Sequence, residues 1–344
     1  MRVLLVKTSS LGDLIHSLPA LTDAAAAIPG IRFHWVAEEA FAEIPAWHPA
    51  VERVIPIALR RWRRGWGAAW RSGEIGAFVG NLRRHPYDLI IDAQGLFFKS
   101  AMVAALARGP RAGYDRASAR DPWVAWTYQR RWAVSRERHA IERVRRLFAL
   151  ALDYALPDTP PDYGLDPGEA TTATPQRPYL VFLHGTTWPS KHWPEAYWAE
   201  LAALAGERGF EIRLPWGNDE ERQRAGRLAA DCPAARLLPR TGLPDLAREL
   251  RGAAGVVGLD SGLSHLAAAL GTPGVTLYGP TRAELTGVIG PRHRNLVAKF
   301  PCAPCLDRVC GFSGTAGVSP ACYQTLPPVT VWEALAARLQ PEAA

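Results

Sequence analysis

Asp13 closes the polar stretch Lys7-Thr8-Ser9-Ser10-Leu11-Gly12-Asp13, which follows the apolar run Val3 to Val6. A carboxylate set among hydroxyls at the end of a buried strand can take a proton from an incoming group. It can equally cap the next helix, and both readings stand at this point. A second constellation is Gly-Leu-Asp-Ser-Gly-Leu-Ser-His, residues 258–265. Asp260 and Ser261 suit a helix cap, and Gly262 allows a close approach of backbone. The helix start then offers N–H groups to an anion, within reach of His265. A third is His-Gly-Thr-Thr-Trp-Pro-Ser-Lys, residues 184–191. Lys191 is one of only four lysines among 40 basic residues, in a chain that otherwise uses arginine. A compact ammonium suits a diphosphate oxygen, and Thr186 and Thr187 can add hydroxyl donors. Glu221, after Pro-Trp-Gly-Asn-Asp-Glu, can accept from a ribose or sugar hydroxyl, or be an exposed helix charge.

Other chemistries lack their signatures. There is no Gly-rich P-loop ending in Lys and Ser or Thr, and no clean Gly-x-Gly-x-x-Gly after a first strand, so an ordinary ATPase and a nicotinamide enzyme are poorly supported. No zinc-finger spacing or RNA-binding aromatic motif occurs, which argues against a nucleic-acid partner.

These residues need elements to hold them, and the chain supplies two series of strands and helices. Strands are expected at 3–6, 31–39, 51–57 and 87–95, with a helix over 14–27 that Pro19 must bend. Strands then recur at 179–185, 210–217, 254–260 and 274–279, alternating with helical segments. This alternation predicts mainly parallel α/β sheets, whose ligands gather at the carboxyl ends of strands. Pro, Thr and Asp crowd the segment between the two series. The expected organisation is a domain over 1–160, a linker over 161–178, and a domain over 179–328. A final amphipathic helix over 329–344 is expected to return to the first domain.

Composition bounds the rest. With 344 residues and 48% hydrophobic content, the chain can bury two cores. No apolar run is long enough to span a bilayer, and the start is too short for a signal peptide. A cytoplasmic location is therefore expected. The net charge of +7 is uneven: residues 1–150 carry 23 Lys/Arg against 13 Asp/Glu. A basic first half suits an anionic partner, or serves solubility alone. Arg60, Arg61, Arg63 and Arg64 interleave with Trp62 and Trp66, as in an interfacial patch, or else form a solvated arm interrupted by Gly65 and Gly67. Cys302, Cys305, Cys310 and Cys322 have a spacing that could hold zinc or iron and sulfur, or stay reduced.

Together, the stretches at 6–21, 28–64, 87–101, 181–195, 214–221 and 259–281 resemble the bacterial lipopolysaccharide heptosyltransferases of glycosyltransferase family 9. Within them, Thr-Ser-Ser-Leu-Gly-Asp and the run from Ile28 resemble the members that add the first heptose. The resemblance implies a GT-B fold, with two Rossmann-like domains facing across a deep cleft. It implies inverting transfer of heptose from ADP-L-glycero-β-D-manno-heptose to the inner Kdo of Kdo2-lipid A, with ADP leaving and no cofactor or catalytic metal required. Asp13 would be the general base. Thr186, Thr187, Lys191, Glu221, Asp260, Ser261, Gly262 and His265 would hold the donor. Thr8, Ser9, Ser10 and Gly12 would wall the cleft, with Arg60, Arg61, Arg63 and Arg64 on the acceptor side. The enzyme would work peripherally at the cytoplasmic face of the inner membrane. Addition of the second heptose, a sugar-nucleotide epimerase of similar fold, and a non-catalytic anionic glycolipid binder are the alternatives.

Overall fold

The computed structural model describes residues 1–166, 168, 177–230 and 232–339. The chain divides into two compact units, Met1–Asp166 and Pro167–Ala344. Most of the expected linker, at 167 and 169–176, lies outside the described residues. Its first part does not: Tyr163 is buried, and the Asp166 N–H donates to the Trp47 carbonyl at 3.2 Å.

The first unit is built on β1 (Arg2–Val6), β2 (Arg32–Glu38), β3 (Val51–Ile57), β4 (Leu89–Asp92), β5 (Arg111–Tyr114) and β6 (Arg130–Trp132). They form one parallel sheet in the order β3-β2-β1-β4-β5-β6, the order of a dinucleotide-binding fold. Val3 to Val6 and Leu89 to Asp92 are buried, as in a sheet covered on both faces. Pro56, which has no N–H for the ladder, sits in the edge strand β3. Register pairs Val6 of β1 with Asp92 of β4. The turns after these two central strands therefore emerge side by side.

The expected bend at Pro19 is a break. One helix covers Leu11–Ile15 and a second Leu18–Ala27, with Pro19 in the first turn of the second, where its missing N–H has no helical partner. The Arg/Trp arm is three short helices, Leu59–Trp62, Trp66–Arg71 and Glu74–Leu82. Gly73, with φ of 79°, starts the third. Helix Ala140–Leu152 is fastened to Leu18–Ala27 by Arg145, whose guanidinium donates to both Asp23 oxygens at 2.6 and 3.1 Å. Both side chains are under one tenth exposed. Such a pair fixes where two elements meet, and removing one partner leaves a buried charge.

The second unit repeats the design with β7 (Tyr179–Leu183), β8 (Glu211–Leu214), β9 (Ala235–Leu237), β10 (Gly255–Leu259), β11 (Gly274–Tyr278) and β12 (His293–Val297). Their order, β12-β11-β10-β7-β8-β9, is the same topology. Here Leu183 of β7 pairs with Gly258 of β10, and Leu259 with Leu277 of β11. Three polar turns thus leave the sheet together. Below them Phe182, Trp193, Trp198 and Tyr323 fill a core. Helix Pro328–Leu339 packs on helix Glu195–Gly206 and on β10, β11 and β12. Its apolar side chains Val331 and Leu335 enter the second core.

Candidate active site

In the first unit, Asp13 is the third residue of helix Leu11–Ile15. Its Oδ2 accepts from the Ser10 N–H at 2.7 Å and the Ser10 hydroxyl at 3.0 Å. Its Oδ1 lies 3.2 Å from Lys7 Nζ. Burial pushes this carboxyl up, but Lys7, the Ser10 bonds and His16 outweigh it and hold the pKa at about 2. The side chain is still 40% exposed. Capping and proton acceptance are therefore compatible: one oxygen closes the helix start, while part of the group faces outward.

Thr8 and Ser9 are buried, Gly12 is buried within the helix, and Ser10 is exposed. Gln94 accounts for the first two. Its Oε1 accepts from the Thr8 N–H at 2.8 Å and the Thr8 hydroxyl at 2.9 Å, and its Nε2 donates to the Ser9 carbonyl at 2.8 Å. Lys99 Nζ donates to Ser9 Oγ. Lys7 Nζ also donates to the Ala93 carbonyl at 3.1 Å. Behind this network Asp92 is fully buried and accepts from the Gln94 and Gly95 N–H groups and from Tyr128 Oη at 2.6 Å. Burial raises the Asp92 pKa despite these bonds. Gln94 and Lys99 had no place among the predicted site residues. The signal was present in the Asp-Ala-Gln-Gly turn at a strand end, but its target is set by the neighbouring strand.

The arginines divide. Arg61 is committed to structure, donating to both oxygens of Glu39 and of Glu74 at 2.7 to 3.1 Å. Trp62, expected at a surface, is buried and donates its indole N–H to Glu74 at 2.8 Å. Arg60 covers the Phe41 ring at 5.0 Å and remains exposed, as do Arg63 and Arg64.

In the second unit, Lys191 ends a short turn, Pro189–Lys191, and its ammonium stands 2.7 Å from Asp260 Oδ2. The same oxygen accepts from Thr281 Oγ1 at 2.7 Å, a residue absent from the predicted set. Lys191 also lies 4.6 Å from the centre of the Trp188 ring. Asp260 is thus engaged by side chains and not by the helix it was expected to cap. Ser261 stands at the N-cap of helix Gly262–Ala269, yet makes no capping bond, and its buried Oγ has no protein partner. The helix start, with Gly262 first, is open to an anion. His265 is buried in the next turn. Thr186 donates to the Asp260 carbonyl at 3.4 Å, and Thr187 is exposed. Glu221 accepts from the Gly217 N–H at 2.7 Å. A side chain at Gly185 would stand 2.6 Å from Glu221 Oε1, so glycine there is what lets the carboxylate approach the end of β7.

The cysteine loop supports this turn from behind. Ser190 donates through N and Oγ to the carbonyls of Arg308 and Asp307 at 3.1 and 2.6 Å, and Tyr323 Oη donates to the Lys191 carbonyl at 2.8 Å. Cys302, Cys305, Cys310 and Cys322 are free thiols around a void of about 10 Å³. Burial and the three other sulfurs push the Cys322 thiol up to about 12. Among the described residues no group of three His, Cys, Asp or Glu side chains is arranged to hold a metal ion. The hydrogen bonds of Ser190 and Tyr323, two accepted by loop carbonyls and one donated by Tyr323, tie the loop to the turn.

Two Rossmann-type units in one chain, each on its own parallel sheet, form the GT-B fold. The model of "Glycosyltransferase family 9 (heptosyltransferase)" matches residues 75–316. Lipopolysaccharide heptosyltransferase 1 of Pseudomonas aeruginosa is 56% identical over 315 residues, 92% of this chain and 89% of that one. The solved structure of the Escherichia coli heptosyltransferase WaaC with ADP is 48% identical, with a TM-score of 0.82 over 87% of this chain and 94% of that one. The same enzyme with ADP-2-deoxy-2-fluoro heptose gives 43% and 0.81, over 97% and 98%. The chain belongs to glycosyltransferase family 9, the heptosyltransferases.

Proposed function

We propose that the chain is an inverting transferase that moves L-glycero-D-manno-heptose from ADP-heptose to the inner Kdo of Kdo2-lipid A, releasing ADP. The observation that carries the donor side is the uncapped start of helix Gly262–Ala269 beside Lys191. An ammonium has three N–H donors, so contact with Asp260 leaves two for diphosphate oxygens. The unpartnered Ser261 hydroxyl adds a free donor, and the helix N–H groups add donors that are already oriented. As the glycosidic bond breaks, negative charge grows on the diphosphate, and these groups stabilise it. Glu221 accepts from donor hydroxyls, the ribose being its proposed partner.

Asp13 takes the proton of the acceptor hydroxyl. A carboxylate with a pKa of about 2 is a weak base toward a resting alcohol. It suffices when the proton leaves late, after the oxygen has begun to bond to an oxocarbenium-like carbon and become acidic. A lysine that keeps the base ionised and two serine bonds that fix its direction serve this timing, since placement supplies much of the rate. No protein nucleophile is needed for one inversion. Exposed Arg60, Arg63 and Arg64 are suited to the acceptor's carboxylates and phosphates. Among the described residues no helix is long and apolar enough to cross a membrane. In this reading the enzyme meets its lipid acceptor at the surface of the inner membrane. The test is ADP release on mixing ADP-heptose with Kdo2-lipid A, with mass spectrometry of the lipid. Release only with an already heptosylated acceptor would instead assign addition of the second heptose.

A further inference from the structure

The first unit carries a second apolar surface, separate from the Arg/Trp helices. The segment Phe97–Ala101 leads into helix Met102–Leu106, and the turn Pro122–Thr127 packs beside it. Asp121 fastens the two: its N–H donates to the Gly95 carbonyl at 3.0 Å, its Oδ2 accepts from the Phe97 N–H at 3.3 Å, and its Oδ1 from the Trp123 N–H at 3.2 Å. What this scaffold displays is apolar. Phe98 is 78% exposed, Trp126 66%, Trp123 55% and Met102 52%. The two indoles meet edge to face at 4.7 Å, and Phe98 packs similarly on Phe97 at 5.1 Å. Single exposed apolar residues are ordinary, but four on one fastened scaffold are not. The exposed charges next to the tryptophan turn are cationic: Arg116 and Arg120 stand just before it.

We propose that Phe98, Met102, Trp123 and Trp126 form a wedge that enters the interfacial layer of an anionic lipid leaflet, with Arg116 and Arg120 on the headgroups. Tryptophan prefers that layer, since its ring is apolar and its N–H needs a wet partner. A basic rim adds attraction to anionic lipid. This deepens the proposed function, because it rests on an acceptor held in a bilayer. It also gives a reason for the wedge's place. Lys99 bonds to Ser9, four residues from Asp13, so seating the wedge brings the base close to the leaflet that holds the acceptor hydroxyl.

The experiment is co-sedimentation with vesicles of phosphatidylethanolamine and phosphatidylglycerol, and with phosphatidylcholine vesicles as the uncharged control. The wild type should partition to the anionic vesicles, and Trp123→Ser/Trp126→Ser should weaken that by about tenfold or more. Thermal melting shows that the variant is folded. ADP release on a deacylated, water-soluble acceptor should be unchanged. Equal partitioning of the variant overturns the wedge, as does loss of binding in Trp66→Ser/Trp70→Ser alone. If the variant instead abolishes a concentration-dependent dimer in sedimentation velocity, the surface is a self-interface and the proposal fails. If vesicle binding follows the wedge but no ADP is released from any acceptor, the transfer reading fails and the wedge stands.

Discussion

The two units share one strand order and treat the turn after a central strand in opposite ways. In the first, every polar group of the Lys7–Asp13 turn that faces inward is already bonded: Thr8 and Ser9 to Gln94, Ser9 to Lys99, Asp13 to Ser10 and Lys7. In the second, the turn after β10 leaves the Ser261 hydroxyl and a helix start without protein partners. Under the proposed function the contrast separates two tasks. A base must hold its charge and direction before any substrate arrives, so its partners are internal. An anion site must keep donors in reserve, so its partners are missing.

Breaking the first side should have the largest effect. Asp13→Ala should lower kcat by about a thousandfold, within the range for losing a positioned acid or base. Calorimetric affinity for ADP-heptose should stay within about twofold of wild type, and equal turnover would remove Asp13 from the mechanism. On the second side, Lys191→Ala should weaken ADP-heptose binding by roughly 10- to 100-fold, the worth of a charged hydrogen bond. It also leaves Asp260 without its cation, so Lys191→Arg serves as the partial rescue. An unchanged dissociation constant would end the diphosphate role.

Lys7→Met sharpens the comparison by removing the charge beside Asp13, along with one bond to the Ala93 carbonyl. Without the ammonium, the Asp13 pKa should climb from about 2 toward its ordinary 3.8. The acid limb of kcat/KM should then move to higher pH, while turnover at pH 8 falls less than in Asp13→Ala. The sign for stability follows: a depressed carboxyl stabilises the fold above its unfolded pKa and loses that contribution as pH drops through its folded one. In wild type the loss falls between about pH 4 and 2, and in Lys7→Met it should be smaller. The smallest effects discriminate best. Gln94→Ala strands the buried Thr8 N–H and should destabilise by about 1–3 kcal/mol in urea unfolding. Ser261→Ala removes a hydroxyl that has no protein partner. It should leave stability within about 0.5 kcal/mol and weaken donor binding only several-fold.

The same contrast explains what could be read before any coordinates. Lys191 stood out because lysine is rare in this chain, while Asp13 drew notice as a carboxylate at a strand end and took its proposed role from the family resemblance. Gln94, Lys99 and Thr281 were not legible, because each acts on a turn that follows a different strand. The central strands were legible as apolar runs. β5, β6, β9 and β12 were not: Arg-Ala-Gly-Tyr, Arg-Arg-Trp, Ala-Arg-Leu and His-Arg-Asn-Leu-Val are three to five residues long and carry charges. They lie toward the outer part of each sheet, where an existing strand supplies the ladder and little alternation is required. The Arg/Trp arm misled in part because spacing cannot tell a displayed tryptophan from Trp62, which folds inward onto Glu74.

The bond from Thr8 to Gln94 joins residues 86 positions apart. Its consequence concerns time. Contacts between distant residues form after local ones, since the intervening chain must first be ordered. During refolding, helical signal from segments such as Ala140–Leu152 should therefore recover before transferase activity. The turn that carries the proposed base acquires its shape only when β4 docks against β1. A ribosome-bound chain that has not yet extruded Gln94 holds Asp13, but not the geometry on which its proposed role depends.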